Sequence, residues 1–178
     1  MEDDEQEEVE RVREWIGRLE AFAHALDDIE GDSATDFANN VLEALNGAVL
    51  PHLAAARTPS MLLALEAVSA ATRATTAVVV DWADTPDVRD RYTRETAQRL
   101  LKDALDGVLA ASKRWLSEGL PSSDEVLKRI TSAATDMQEA QELLGKRNAE
   151  HDAQDAEAAA DPYGAILVQG GGGGSDIS

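Results

Sequence analysis

The sequence predicts an all-α protein: a bundle of about five helices, followed by a flexible C-terminal arm that contains a short extended segment. Alanine, leucine and valine dominate its apolar residues, and aromatic residues make up only 4% of the chain. Most of the large apolar residues recur three and four positions apart, which is the spacing of one helix face. At 178 residues the chain is long enough to bury a core within one domain.

The first two helices are predicted from a seam of apolar residues and from the break that follows it. An acidic segment at 1–8 suits a helix N-terminus, where the helix dipole favours negative charge. The first helix is expected over about 7–30, because its apolar residues alternate three and four apart as in a coiled coil. Gly31-Asp32-Ser33 ends it and caps a second helix over about 34–50, which Pro51 ends.

Two Thr-Pro pairs each predict a helix start, because threonine is a good N-cap and proline suits the first helical position. Thr58-Pro59 begins a third helix that runs to about residue 83. Its β-branched run at 77–80 is also compatible with a strand, but the helical period continues beyond it. Thr85-Pro86 begins a fourth helix that runs to about residue 118. Its predicted inner face is Val88, Tyr92, Ala97, Leu101, Ala104, Val108, Ala111 and Trp115.

The fifth helix and the tail are separated from the rest by glycine and proline. Gly119 stops the fourth helix, and Pro121 delays the next one until Ser122 or Ser123 caps it. This helix completes a bundle over 9–145. The charged, alanine-rich stretch 146–162 is either a helical extension or a fraying linker, and residues 163–178 form the flexible arm.

The arm combines an apolar run with a glycine linker. Tyr163-Gly-Ala-Ile166-Leu167-Val168 reads as a short extended segment, and the five glycines at 170–174 are a flexible linker by composition. An apolar segment outside a helical core is a liability in a monomer. We therefore favour docking on another subunit or protein, for example as an added strand at a sheet edge, over packing against its own bundle.

The charge of the chain restricts its partners. It has 35 Asp and Glu against 16 Lys and Arg, a net charge of −19, which disfavours nucleic acid and anionic membranes. The acid-rich, lysine-poor composition indicates either a halophilic host or a high-GC genome. The absence of cysteine excludes disulfides and thiolate metal sites. The acidic N-terminus is not a signal peptide, and no apolar run approaches the roughly 20 residues of a membrane span, so a soluble cytoplasmic protein is expected.

The sequence offers no catalytic constellation. It has neither a glycine-rich phosphate loop between a strand and a helix nor a G-x-S-x-G elbow. Glu20 and His24 lie four apart and could hold a divalent cation, but a ferritin-like site needs such sets on two helices, so a solvated acidic face is favoured. Four aspartates lie three apart near Thr85, but they lack the glycine and glutamate of an EF-hand loop. These are Asp81, Asp84, Asp87 and Asp90. We therefore expect no enzyme, no cofactor and no metal ligand.

The bases cluster on the fourth helix. In so acidic a protein, they are candidates for pairing with the acidic surface of a neighbouring copy or partner. Pairing within the helix, with Asp87, Asp90, Glu95 and Asp103, is an equally favoured alternative. The candidate partner-binding residues are Arg89, Arg91, Arg94, Arg99 and Lys102 on this helix, and Tyr163, Ile166, Leu167 and Val168 in the arm.

The order of elements between about 35 and 110 forms a distinct helical pattern. A helix with small residues leads into a proline-started helix, and a further helix carries a Tyr, an Ala, a Leu-Leu pair and a Gly near its end. These elements are 38–53, 59–82, and Tyr92, Ala97, Leu100, Leu101 and Gly107. In this pattern the chain resembles the head–tail connector (adaptor) proteins of tailed viruses. It departs from them in its long first helix, its fifth helix and its acid content.

The resemblance implies a non-enzymatic structural subunit of the virion. It implies a ring of copies, about twelve, at the neck below the portal, assembled in the host cytoplasm. Terminal arms would reach neighbouring subunits, the portal or other neck proteins, and DNA would pass through the lumen without specific binding or any membrane contact. Two alternatives stay open: a cytoplasmic helical interaction module that docks through its C-terminal tail, and a metal-binding bundle using Glu20 and His24.

Overall fold

Five α-helices make up most of the chain that the structure, a computed structural model, describes, namely residues 2–82 and 93–160. The helices are α1 (Glu2–His24), α2 (Ala34–Val49), α3 (Pro59–Thr76), α4 (Arg94–Glu118) and α5 (Ser123–Ala160). Short 3-10 turns follow α1 and α2, at Leu26–Asp28 and Leu50–His52. Within these two ranges no strand occurs, so the predicted all-α bundle is confirmed there. The arm at 163–178 lies outside the described residues.

Helix α1 begins and ends earlier than its apolar pattern predicts. The acidic residues from Glu2 onward are already helical, because negative side chains are favoured near a helix N-terminus. Ion pairs one turn apart add to this, such as Arg18 with Glu14 at 2.5 Å. The chain leaves the helix after His24 instead of at about residue 30, because the 3-10 turn places Leu26 in the core, where it is 1% exposed.

Side-chain caps fix the starts of three helices where the sequence predicts them. Ser33 Oγ accepts a hydrogen bond from Asp36 N at 3.0 Å, and Thr58 Oγ1 accepts one from Met61 N at 3.3 Å. Ser122 Oγ accepts one from Glu125 N at 3.2 Å. Each oxygen satisfies an amide that the helix itself leaves unpaired. The starts of α2, α3 and α5 are therefore confirmed.

The start of α4 differs from the prediction. Thr93 is extended, with φ −93° and ψ 170°, and its hydroxyl accepts a hydrogen bond from Thr96 N at 3.3 Å. An uninterrupted helix over 86–118 is therefore wrong, because the described helix begins at Arg94. The predicted start at Thr85-Pro86, together with Val88 and Tyr92, lies outside the described residues.

Helix α3 is the central element of the bundle. It passes into a π-helical turn at Ala77–Asp81, in which Trp82 N donates to Ala77 O at 3.0 Å. The strand alternative for residues 77–80 is thus excluded. Buried threonines are tolerated because their hydroxyls bond to carbonyls: Thr72 Oγ1 donates to Val68 O at 2.7 Å, and Thr75 Oγ1 to Ala38 O at 3.4 Å.

Helix α3 and the π-helical turn that follows it are more apolar than the sequence analysis predicted. The stretch Pro59–Asp81 is long and apolar enough to cross a membrane by length and composition alone, and an 18-residue window within it has a mean hydropathy of 1.4. The expectation that no apolar run approaches this length was therefore wrong. Since 72% of that window is buried inside the bundle, the stretch has the burial of a central core helix.

The core lies between α1, α2, α3 and α4, and the packing of α3 on α4 is the most extensive. On α4 the predicted inner face is partly wrong. Ala97, Leu101 and Trp115 are buried as expected, but the middle turns bury Leu105 and Leu109. Ala104, Val108 and Ala111 are only half-buried. The larger leucines take the core side, and the smaller residues form the wall of a groove described below.

The chain divides into two units, Met1–Leu144 and Gly145–Ser178. The first contains α1 to α4 and the part of α5 up to Leu144. In the second unit, residues 145–160 are helical and belong to the printed extent of α5.

Candidate functional site

A groove of about 760 Å³ lies between α3, α4 and the first half of α5. Its volume falls within the range of about 300–1,000 Å³ that is usual for ligand pockets. The residues on its walls are mostly small, so they leave space where larger side chains would fill it. Among them are Ser69, Ala70, Ala74, Ala104, Gly107 and Ala133.

Helix α5 is attached to α3 through two polar contacts. The guanidinium of Arg129 donates both to Oε1 and to Oε2 of Glu66, at 2.9 and 3.0 Å. Eleven positions further along α5, Ala140 O lies 3.2 Å from Thr76 Oγ1, whose hydrogen is shared with Thr72 O at 2.8 Å. Both contacts advance along α3 and α5 in the same direction, so the helices run parallel here. The groove residues of α3 and α5 lie largely between these contacts.

One wall of the groove carries a neutralised charge pair. Glu66 and Arg129 are partly buried, with side chains 23% and 29% exposed, so the pairing of Arg129 Nη2 with both carboxylate oxygens is shielded from water more than a surface ion pair. The Arg129 guanidinium also lies 5.5 Å from the centre of the Trp115 ring. This cluster fixes the position of α5 at the Glu66 level of the groove.

Further polar groups line the groove beside this charge pair. Ser69, which is only 2% exposed, contributes a hydroxyl group to the lining. Arg73 is exposed and forms no ion pair with a described residue. Asp103 and Asp136 add negative charge to the lining. An occupant that combines apolar side chains with hydrogen-bonding backbone groups would satisfy both features of this surface.

Among the predicted basic residues, Arg94 is committed to its own chain. Its Nη2 donates to Ile29 O at 2.7 Å and to Asp27 O at 3.2 Å, and its guanidinium lies 4.4 Å from the centre of the Phe37 ring. A further bond joins Nη1 to Gln98 Oε1 at 3.2 Å. Arg94 therefore ties the start of α4 to the turn after α1 instead of forming the intrahelical acid pair that the sequence suggested.

Lys102 and Arg99 differ from Arg94 in their ion pairing and exposure. Lys102 Nζ lies 2.8 Å from Asp106 Oδ2, one turn ahead, and the hydrogen bond and charge of Asp106 raise the pKa of Lys102 above its ordinary value. Arg99 is exposed and has no ion pair with a described residue. Arg89 and Arg91 lie outside the described residues, as do Tyr163, Ile166, Leu167 and Val168. A role for this set in partner binding stays a prediction.

The acidic positions considered for metal binding are engaged elsewhere or undescribed. Glu20 Oε2 lies 2.6 Å from Lys113 Nζ of α4, so this carboxylate joins two helices. Among the side chains that the structure describes, no group of three or more Asp, Glu or His residues could hold a metal ion. Of the four predicted aspartates, only Asp81 is described, and it ends the π-helical turn.

The groove was not predicted from the sequence, although patterns of small residues on α3 and α4 indicate it. The α3 run Ser69-Ala-Ala-Thr-Arg73-Ala places small residues on two faces, and Ala104, Gly107 and Ala111 recur three and four apart on α4. Ala104 and Ala111 were assigned to the core because they share its period. No known protein-family model, curated protein or solved structure matches this chain significantly.

Proposed function

We propose that this protein is a non-enzymatic structural subunit that acts by assembly, as a ring-forming head–tail connector between the portal and the tail of a tailed virus. The observation that carries the proposal is the groove between α3, α4 and α5, a concavity whose walls consist mostly of small residues. Its lining contains no histidine, and its small residues leave space that suits the binding of another polypeptide segment.

The helices that carry the family resemblance also form this surface. Ala97 and Leu101 of α4 are fully buried in the core. The neighbouring Leu100 and Gly107 line the groove instead. Some of the positions that carry the resemblance therefore pack in the core, and others line the groove. An assembly subunit needs residues of both kinds. Tyr92, the remaining position, lies outside the described residues.

The charge of the chain supports a channel role. A net charge of −19 disfavours contact with DNA phosphates, so a lumen lined by acidic residues would let DNA pass without binding. The same charge makes copies repel one another at long range. Assembly therefore requires contacts between weakly charged surfaces, and salt that screens the charge would promote it; the range of interaction falls to roughly 3 Å at 1 M salt.

Electron microscopy of the protein mixed with the portal protein of its virus tests this role. We expect ring-shaped particles seated on one end of the portal, at multimolar KCl and with this protein in small excess over the portal protein. The control is the full chain with Leu101→Asp, which places a charge in the core and should leave portals bare. Portals that stay bare with the folded wild-type chain would contradict the connector role and favour a cytoplasmic interaction module.

A further inference from the structure

We propose that the groove between α3, α4 and α5 is the receptor for the apolar segment Tyr163–Val168 of a neighbouring copy of this chain. The inference rests on the proposed function, because it names the contact that would join copies within a ring. The groove residues belong to the first unit, and the segment lies in the part of the chain that the structure does not describe.

The occupant is argued first from charge. The chain carries 35 acidic residues, yet residues 163–175 contain no charged side chain at all. Copies of a protein with a net charge of −19 associate most readily through such an uncharged segment, since contact there brings no like charges together. The segment also concentrates a tyrosine and three large aliphatic residues, whose exposure to water is unfavourable.

The shape of the groove matches this composition. Its walls of alanine and glycine leave room for large side chains, and nothing lies within 4 Å of the position that a Cβ at Gly107 would take. Ile166, Leu167 and Val168 are large enough to fill the space that these small residues leave beside Leu100 and Val108. The small residues of the groove walls and the large residues of the segment are therefore complementary in size.

The polar groups of the groove match an extended peptide. The Ser69 hydroxyl lines the groove and can both donate and accept a hydrogen bond, so it suits a backbone C=O or N–H of the occupant. Arg73, which forms no ion pair there, could meet Asp161, two positions before Tyr163. The described bundle contains no strand, so a neighbouring copy has no described sheet edge to which the segment could add. A groove between helices is the surface that it offers instead.

The absence of cysteine allows a direct test on the full-length chain. Two differently tagged variants are mixed and oxidised: one carries Ala104→Cys in the groove, the other Leu167→Cys in the segment. We expect a disulfide between the two tagged chains. The matched control is Ala110→Cys, an exposed alanine on the same helix outside the groove lining, for which the yield should be lower by about tenfold, the effect of roughly 1.4 kcal/mol in binding free energy.

A blocking variant provides a second readout. Gly107→Trp added to the groove variant should fill the space and lower the disulfide yield by about tenfold, whereas Gly47→Trp, also at an open helical position, should not. Circular dichroism confirms that both variants stay folded. The proposal is overturned if the yield equals that of the Ala110→Cys control, if Gly107→Trp leaves it unchanged, or if a chain carrying both cysteines links only to itself.

The masses of the same samples separate this inference from the proposed function. A ring-sized assembly without the disulfide would overturn the docking inference and leave the connector role intact. A disulfide-linked pair that never grows beyond two copies would support the docking contact and contradict the ring.

Discussion

Replacement of Arg94 with methionine is expected to destabilise the bundle by about 2–3 kcal/mol, because hydrogen bonds from charged donors contribute roughly 1.5–3 kcal/mol and a stacked cation adds to them. Arg94 donates to Ile29 O and Asp27 O, and it packs on the ring of Phe37, which is fully buried. Methionine keeps the apolar stem but leaves both carbonyls without their charged donor. Urea unfolding followed by circular dichroism measures the change.

Arg99 provides the matched control for this variant. It lies on the same helix, is exposed and has no ion pair with a described residue, so Arg99→Met should change stability by about 0.5 kcal/mol or less. Arg94→Lys restores the charge but not the planar fork, and should recover less than half of the loss. Equal effects of Arg94→Met and Arg99→Met would contradict the structural role given to Arg94.

Replacement of Glu8 with alanine is expected to cost about 2 kcal/mol, the scale of a charged hydrogen bond at a helix N-terminus. Glu8 is only 8% exposed, and its Oε2 accepts a hydrogen bond from Ser60 N at 2.6 Å, although the two residues are far apart in sequence. Together with the Thr58 hydroxyl, which accepts from Met61 N, it satisfies amides that α3 leaves free after Pro59.

Glu7 is the control that separates the capping contact of Glu8 from a general effect of removing negative charge. Glu7 is 65% exposed and pairs with Arg11 at 3.6 Å, so Glu7→Ala should change stability by less than about 0.5 kcal/mol. Glu8→Gln keeps an oxygen acceptor without the charge and should lose roughly half as much as Glu8→Ala. Chemical unfolding of the three variants at one pH gives the ranking, and a Glu8→Ala variant as stable as Glu7→Ala would refute the cap.

Local signals in the sequence predicted much of the fold. Ser33, Thr58 and Ser122 sit directly before apolar periods, and each caps the helix that it was expected to cap. The physical reason is that an N-cap acts on amides two or three residues away, so its partners are visible in the sequence. Gly119, with φ at +114°, likewise ends α4 where the sequence placed the stop.

Features that depend on distant contacts could not be predicted in this way. Glu8 looked like part of a solvated acidic run, because only the packing of α1 against α3 brings it to Ser60. On α4, two registers of apolar residues share one period, and the choice of Leu105 and Leu109 for the core depends on the volume that neighbouring helices leave. The groove was hidden for the same reason, since small residues suit either a close helix contact or an open wall.

The mass of the purified full-length protein in solution tests the central proposal of ring assembly most directly. Light scattering is measured at low salt and at multimolar KCl, for the full chain and for the chain without residues 163–178. We expect the full chain at high salt to reach a single closed species many times the 19.0 kDa of one copy, and the shortened chain to stay smaller. A monomer or dimer at both salt concentrations, whether or not the arm is present, would contradict ring assembly.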